Sequence, residues 1–169
     1  MERRSIRLPN YNYQAGTFFV TICTFERRET FGEIRDAVFY PNSIGKIVEQ
    51  EWLITLSMWK EMVAGAHVVM PNHFHAVFGI MRDTTGEPNR HFKSPKETVG
   101  SIVRGFKGAV TRKAAIKTNR EIDQIWQRNY YEHVIRNEKE YRDTLIYIET
   151  NPLKWEFDNH NPVRSRIDG

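Results

Sequence analysis

Residues 66–80 read "AHVVMPNHFHAVFGI", and this stretch constrains the fold more than any other. Two apolar runs, "AHVVMP" and "HFHAVFGI", meet at Pro71-Asn72, a pair that breaks regular structure and favours a tight connection. Apolar runs this short, bounded by a turn signal, read as strands. The stretch therefore predicts an antiparallel hairpin. Side chains at i and i+2 on a strand share a face. Phe74, Ala76 and Phe78, joined by Val68 and Met70, form an even-numbered face that reads as core. His73 and His75 project together from the other face.

Other elements follow from pattern. "GTFFVTICTFERR" (16–28) is β-branched and aromatic and predicts a strand. "PNSIGKIVEQEWLITLSMW" (41–59) carries apolar residues at helical spacing, Ile44, Ile47, Val48, Trp52, Leu53, Leu56 and Trp59. Residues 81–95 are polar and rich in Pro, Gly and charge, so they predict a loop. A helix over 94–117 starts on Ser94-Pro95 and sets Val99, Ile102, Val103, Phe106 and Val110 on one face. "IWQRNYYEHVIR" (125–136) predicts a strand. "NEKEYRDTLIYIETN" (137–151) predicts a helix capped by Asn137, with Glu138 and Glu140 in its first turn and Pro152 beyond its end. The order is βαββαβ with one extra C-terminal helix. That order predicts an α+β, ferredoxin-like sandwich with an antiparallel sheet.

The chain has 169 residues, a length suited to a single domain spanning 1–169. No apolar run approaches the roughly 20 residues of a membrane helix, and no signal peptide is expected from "MERRSIRLPNYNYQ". Its one cysteine, Cys23, excludes an internal disulfide and a cysteine-based zinc site. Cys23 lies in an apolar run and reads as a buried thiol. The expected compartment is the cytoplasm.

Net charge is +4, but ten Lys/Arg against three acids fall between Arg82 and Arg120. Arg82, Arg90, Lys93, Lys96, Arg104, Lys107, Arg112 and Lys113 form a stripe with two readings. It can track a phosphate backbone, or it is a solvated helix face. The N-terminal Arg3, Arg4, Arg7, Tyr11 and Tyr13 read equally as a contact arm or a disordered terminus.

The histidines also have two readings. Two imidazoles on one strand face can converge their lone pairs on a divalent cation, or they stand half-exposed without a ligand. The last helix offers further groups. At about 100° per residue, Ile148, Tyr141 and Leu145 form a buried stripe. Tyr147 lies off it, on the side of Glu140, Asp143 and Asn151. Asn151 also precedes Pro152, where the α conformation is disfavoured and a helix commonly ends. His133 reads as structural, or as orienting a catalytic group or touching a nucleic acid. His67, His91 and His160 carry no signal.

"MPNHFH" followed some seventy residues later by "YIETNPLKW" resembles the HUH single-strand DNA transposases, in particular the REP-associated tyrosine transposases, relatives of the IS200/IS605-like enzymes. "WQRNYYEHVIRNEKEYRDTLIYIETNPLKW" matches the C-terminal block of that group, and the resemblance spans about residues 10–157. It implies a ferredoxin-like fold and a metal held by His73, His75 and Asn151. It implies Tyr147 as the nucleophile, with Tyr130, Tyr131 and Tyr141 as rivals. The implied reaction is metal-dependent cleavage and rejoining of hairpin-containing single-stranded DNA through a 5′-phosphotyrosine intermediate. Ligand type favours zinc, copper, nickel or manganese over magnesium; the resemblance implies Mg²⁺ or Mn²⁺. Relatives act as monomers or as homodimers exchanging tyrosine helices, so the sequence leaves both open. Two competing readings keep the fold: a non-catalytic nucleic-acid-binding module, and a metal-dependent hydrolase that uses water and leaves Tyr147 idle.

Overall fold

The computed structural model describes residues 16–81, 99–122 and 124–161. A four-stranded antiparallel sheet runs in the order β4-β5-β1-β6, built from β1 (Gly16–Cys23), β4 (Met62–Met70), β5 (His73–Ile80) and β6 (Tyr131–Ile135). The central strand β1 pairs antiparallel with both β5 and β6. Helices α1 (Ser43–Met58) and α2 (Val99–Lys117) are the two crossovers, and α3 (Glu138–Glu149) follows β6. This is the α+β sandwich expected from the element order. The expected 81–95 loop and the start of the 94–117 helix fall largely outside the described residues, as does the N-terminal arm.

Alternation along β1 and β5 divides the molecule into layers. Phe18, Val20, Ile22, Phe74, Ala76 and Phe78 face α1 and α2 in the main core. Trp52 of α1 is fully buried there, its ring 5.2 Å from Phe74, 5.6 Å from Phe78 and 5.3 Å from Phe106. The opposite face carries a smaller cluster in which Val77, Ile135 and Ile148 pack with Phe19, Ala66, Val68 and Tyr141. Helix α3 covers that second face, whose apolar area alone would not stay exposed to water.

Directly paired residues on neighbouring strands share a face. Val68 pairs with His75 and Val69 with Phe74. Val69, rather than Val68, therefore shares the face of Phe74, and Val68 joins the histidine side. The two-residue connection at Pro71-Asn72 shifts the parity between β4 and β5, so continuing the even numbers across it assigned Val68 and Met70 wrongly, Met70 pairing with His73.

A hairpin of β2 (Gly32–Arg35) and β3 (Val38–Pro41) precedes α1 and was not expected. Its turn residues Asp36 and Ala37 have φ of 50° and 61°. That is the backbone of a tight hairpin turn, made without the Asn-Gly or Gly-Gly pair that normally signals it. Other boundaries also differ. The 16–28 strand ends at Cys23, because Glu26 and Arg27 turn into left-handed conformations. Of the 125–136 segment only Tyr131–Ile135 is a strand, while Ile125 and Trp126 are buried and Trp126 bridges to Thr24. Helix starts follow their caps: Asn42 Oδ1 accepts from Ile44 and Gly45, and Asn137 Oδ1 accepts from Glu140. Among the described residues, no helix is long and apolar enough to cross a membrane.

Candidate active site

His73 and His75 open β5 on the α3 side of the sheet, opposite Cys23 and Thr21 of β1. Both are fully buried, 0% and 1% exposed, which removes the reading of two half-exposed imidazoles. Their ring centroids are 4.5 Å apart. Each ring is held through Nδ1: His73 by Asn72 Oδ1 at 2.8 Å, His75 by Thr21 Oγ1 at 2.8 Å.

Asn72 decides the tautomer of His73. Its side-chain nitrogen donates to Arg27 O at 3.0 Å and to His160 O at 2.6 Å, so its oxygen is left to accept. His73 Nδ1 must then be the donor, and Nε2 carries a lone pair. That Nε2 atom is buried and has no hydrogen-bond partner. Burial, with the neighbouring His75 and His160 rings, holds the His73 pKa well below the ordinary value. Burial likewise lowers His75 to about 3, His160 adding to the effect and a main-chain hydrogen bond with Val20 opposing it. Both imidazoles are thus neutral at ordinary pH, the protonation state that ligates metals.

The third candidate ligand comes from beyond α3. Helix α3 ends at Glu149, and Asn151 leads into a 3-10 turn over Pro152–Phe157. Asn151 has φ −59° and ψ −45°, the α conformation that a following proline disfavours. The chain thus keeps winding past Pro152 instead of extending, and Asn151 stays one turn below Tyr147. Asn151 is 2% exposed and its Oδ1 has no hydrogen-bond partner. Its side chain nonetheless interacts with both His73 and Tyr147, opposing the downward shift of one and the upward shift of the other.

Tyr147 is 40% exposed, off the buried stripe of α3 as its helical position required. Its hydroxyl lies 3.4 Å from His75 Nε2. Its ring meets Phe19 edge-on at 6.1 Å, and Phe19 in turn stacks on His75 at 5.3 Å. Partial burial raises the phenol pKa above its ordinary value, with Asp158 and Cys23 adding to the rise. The rival tyrosines sit elsewhere. Tyr130 donates to Glu132 and packs against the main core, Tyr141 packs in the second cluster, and Tyr131 lies against Phe19.

Two unpartnered buried acceptors, His73 Nε2 and Asn151 Oδ1, together with His75 Nε2, fit a divalent cation bound by two imidazoles and one amide oxygen. Leaving such atoms unpaired costs roughly 1–3 kcal/mol each, a cost that a ligand removes. Among the described residues no group of three or more His, Cys, Asp or Glu could hold a metal, so the candidate set depends on Asn151.

The described part of the basic stripe is not gathered at this site. Arg82, Arg90, Lys93 and Lys96 lie outside the described residues. Arg104, Lys107, Arg112 and Lys113 are on α2, which packs on the sheet face opposite the histidines. Lys107 Nζ donates to the carbonyls of Gln127 at 2.6 Å and Arg128 at 3.1 Å, tying down the segment before β6. Lys113 pairs with the buried carboxylate of Glu51 on α1. Those two ammonium groups are engaged within the fold; Arg104 and Arg112 remain exposed. His133 approaches Glu140 at 3.5 Å and His67 meets Glu49 at 2.8 Å.

Several residues at the site carried no local sequence signal. Thr21 and Asn72 orient the histidines. His160 lies 4.5 Å from His73, ring centroid to ring centroid, and its Nδ1 accepts from Arg27 Nη1 at 2.7 Å. No period or motif links residues 27, 72 and 160.

The chain is 40% identical over 166 residues to an uncharacterised protein of Haemophilus influenzae strain Rd, covering 92% of this chain and 91% of that protein. The two belong to one family. The chain is also 27% identical over 149 residues to the REP-associated tyrosine transposase of Escherichia coli K12, covering 85% of this chain and 70% of that protein. Its fold matches a solved structure of a REP-associated tyrosine transposase bound to a REP hairpin, with TM-score 0.59, 23% identity and coverage of 88% and 73%. No protein-family model matches the chain. At a coarse level this chain is transposase-like, similar in sequence to one REP-associated tyrosine transposase and in fold to a solved one.

Proposed function

We propose that this chain is a metal-dependent transposase that cuts and rejoins hairpin-containing single-stranded DNA through Tyr147. The observation that carries the proposal is the 3.4 Å approach of the Tyr147 hydroxyl to His75 Nε2, beside the unpartnered His73 Nε2 and Asn151 Oδ1. A phenol able to serve as nucleophile and a candidate cation site thus share one place. The relative solved with a REP hairpin supports a folded single strand as substrate.

In this reading His73, His75 and Asn151 hold Mg²⁺ or Mn²⁺, which supplies charge stabilisation to phosphate oxygens. The Tyr147 oxygen bonds to a backbone phosphorus as its proton leaves, and the bond from phosphorus to the 3′-oxygen breaks. The products are a 5′-phosphotyrosine and a 3′-hydroxyl. Attack by a 3′-hydroxyl on that link restores a phosphodiester and the free tyrosine, so rejoining needs no separate energy source. Asn72 sets the ligating tautomer of His73, and Thr21 keeps the His75 ring in register. Phe19 fixes the Tyr147 ring. Tyr147 reaches the histidines of its own chain, so one chain holds the whole constellation and a monomer suffices.

The test is incubation with a hairpin oligonucleotide, labelled at its 5′ or its 3′ end, in the presence of Mn²⁺, followed by denaturing electrophoresis. A covalent adduct carrying the 3′ label, absent with EDTA and in Tyr147→Phe, is the expected result. Cleavage without an adduct means hydrolysis by water, and DNA that is bound but never cut means a binding module; either overturns the proposal.

A further inference from the structure

We infer that Arg27 is a phosphate-binding residue, holding one backbone phosphate of the DNA strand on the His73 side of the site, with His160 as its positioning residue. The inference rests on the strand-cleavage reading for the identity of the anion as DNA.

Arg27 lies just past the end of β1, where Cys23 pairs with His73. Its Nη1 donates to His160 Nδ1 at 2.7 Å and to the carbonyl of Asn159 at 3.4 Å. The His160 ring is 4.5 Å from that of His73 and 6.3 Å from that of His75. The guanidinium is therefore one imidazole away from the candidate cation site.

Its placement is enforced. Glu26 and Arg27 have φ of 52° and 55°, a left-handed conformation costly for any residue but glycine. Fully buried Thr24 braces the turn, its hydroxyl engaging Arg28 O at 2.7 Å and Asn72 O at 3.0 Å. Asn72 completes the frame. One buried amide holds the carbonyl of Arg27, the carbonyl of His160 and Nδ1 of His73. The backbones that carry Arg27 and His160 are thus registered to a proposed metal ligand through a single side chain. Backbone strain that is braced in this way concentrates at functional sites.

The charge of Arg27 is not consumed by the clamp. Both acceptors are neutral, and among the described residues Arg27 makes no ion pair. Arg28 takes the Glu26 carboxylate. Asp158, the acid in the adjoining turn, uses Oδ1 to accept from the His160 main chain at 2.7 Å. Arg27 remains exposed, with its other donors free to meet the oxygens of an anion in forked geometry. The contrast with Lys107 and Lys113 is direct, since those cations are engaged within the fold.

The test is a methylphosphonate scan. Phosphates of the hairpin strand are replaced one at a time by the neutral analogue, and affinity is measured with Mg²⁺ in a Tyr147→Phe background, where no cutting occurs. Arg27→Gln keeps a donor for His160 and removes the charge; Arg27→Lys restores the charge. The expected result is that Arg27→Gln weakens binding by about tenfold or more and lowers the salt slope by about one. Neutralising one particular linkage should cost affinity in the Tyr147→Phe parent and nothing further in Arg27→Gln, with partial recovery in Arg27→Lys. His160→Ala should blunt the same linkage and no other. If the scans of parent and Arg27→Gln run parallel at every linkage, Arg27 is a clamp on the 158–161 turn and the inference fails, while adduct formation through Tyr147 would still stand. If no DNA binds under any condition, the inference and the function proposed above fail together.

Discussion

Tyr147 and His75 are 72 residues apart in the chain, and the hydroxyl of one stands 3.4 Å from Nε2 of the other. The contact exists because α3 folds back over the second face of the sheet, where Ile148 is buried against Val77 and Ile135. Burial of Ile148 turns its neighbour Tyr147 toward the histidines.

Tyr147→Phe should fold normally and bind DNA, because the ring keeps its contact with Phe19 and only a half-exposed hydroxyl is lost. Its Tm should stay within a few degrees of wild type. Covalent adduct on a denaturing gel should vanish completely; adduct persisting in this variant would move the nucleophile elsewhere.

Metal should stabilise the protein through the same three residues. At about 100 times its Kd, a ligand that binds only the folded state adds roughly 2.7 kcal/mol. Mn²⁺ should raise the Tm of wild type, and the increment should be lost in His73→Ala and strongly reduced in Asn151→Ala. An undiminished increment in both variants would place the cation at another site.

Asn72→Ala should damage two properties at once. It removes three hydrogen bonds from a fully buried amide and leaves the Arg27 and His160 carbonyls and His73 Nδ1 short of partners. A loss of roughly 2–4 kcal/mol in unfolding free energy is expected. Mn²⁺ affinity, read by calorimetry, should fall by about 10- to 100-fold, the usual consequence of removing a group that orients a metal ligand.

Acid should destabilise the metal-free protein before its carboxylates titrate. His75 has a folded pKa of about 3, and His73 is also shifted well down, while both take up protons near 6.5 when unfolded. A depressed folded pKa means the unfolded state binds more protons between those values. The stability from neutral burial is therefore complete above about pH 6.5 and declines as pH falls toward the folded pKa. Each such histidine contributes a slope of about 1.4 kcal/mol per pH unit. Denaturant unfolding in EDTA at pH 7.5, 6 and 5 should show this decline. His75→Phe should flatten it; an equal slope in that variant would mean that His75 is not buried neutral.

Local pattern determined a good deal. The period of two in residues 73–80 put His73 and His75 on one face, because strand geometry allows nothing else for i and i+2. The helical period of 138–149 kept Tyr147 off the stripe led by Ile148, and Asn137 marked the start of that helix. These are properties of a few consecutive residues. Tertiary structure decided what joins distant segments. Cross-strand pairing moved Val68 to the histidine side, and the face that α2 packs on carried its basic residues away from the site. The β2–β3 turn formed on Asp36 and Ala37, whose side chains carry no glycine signal for it. His160 and Arg27 came to His73 through Asn72, a junction of three segments that no sequence period encodes. Periodicity specifies which way a side chain points from its own element. Which elements then meet is settled by burial and hydrogen bonding across the whole chain.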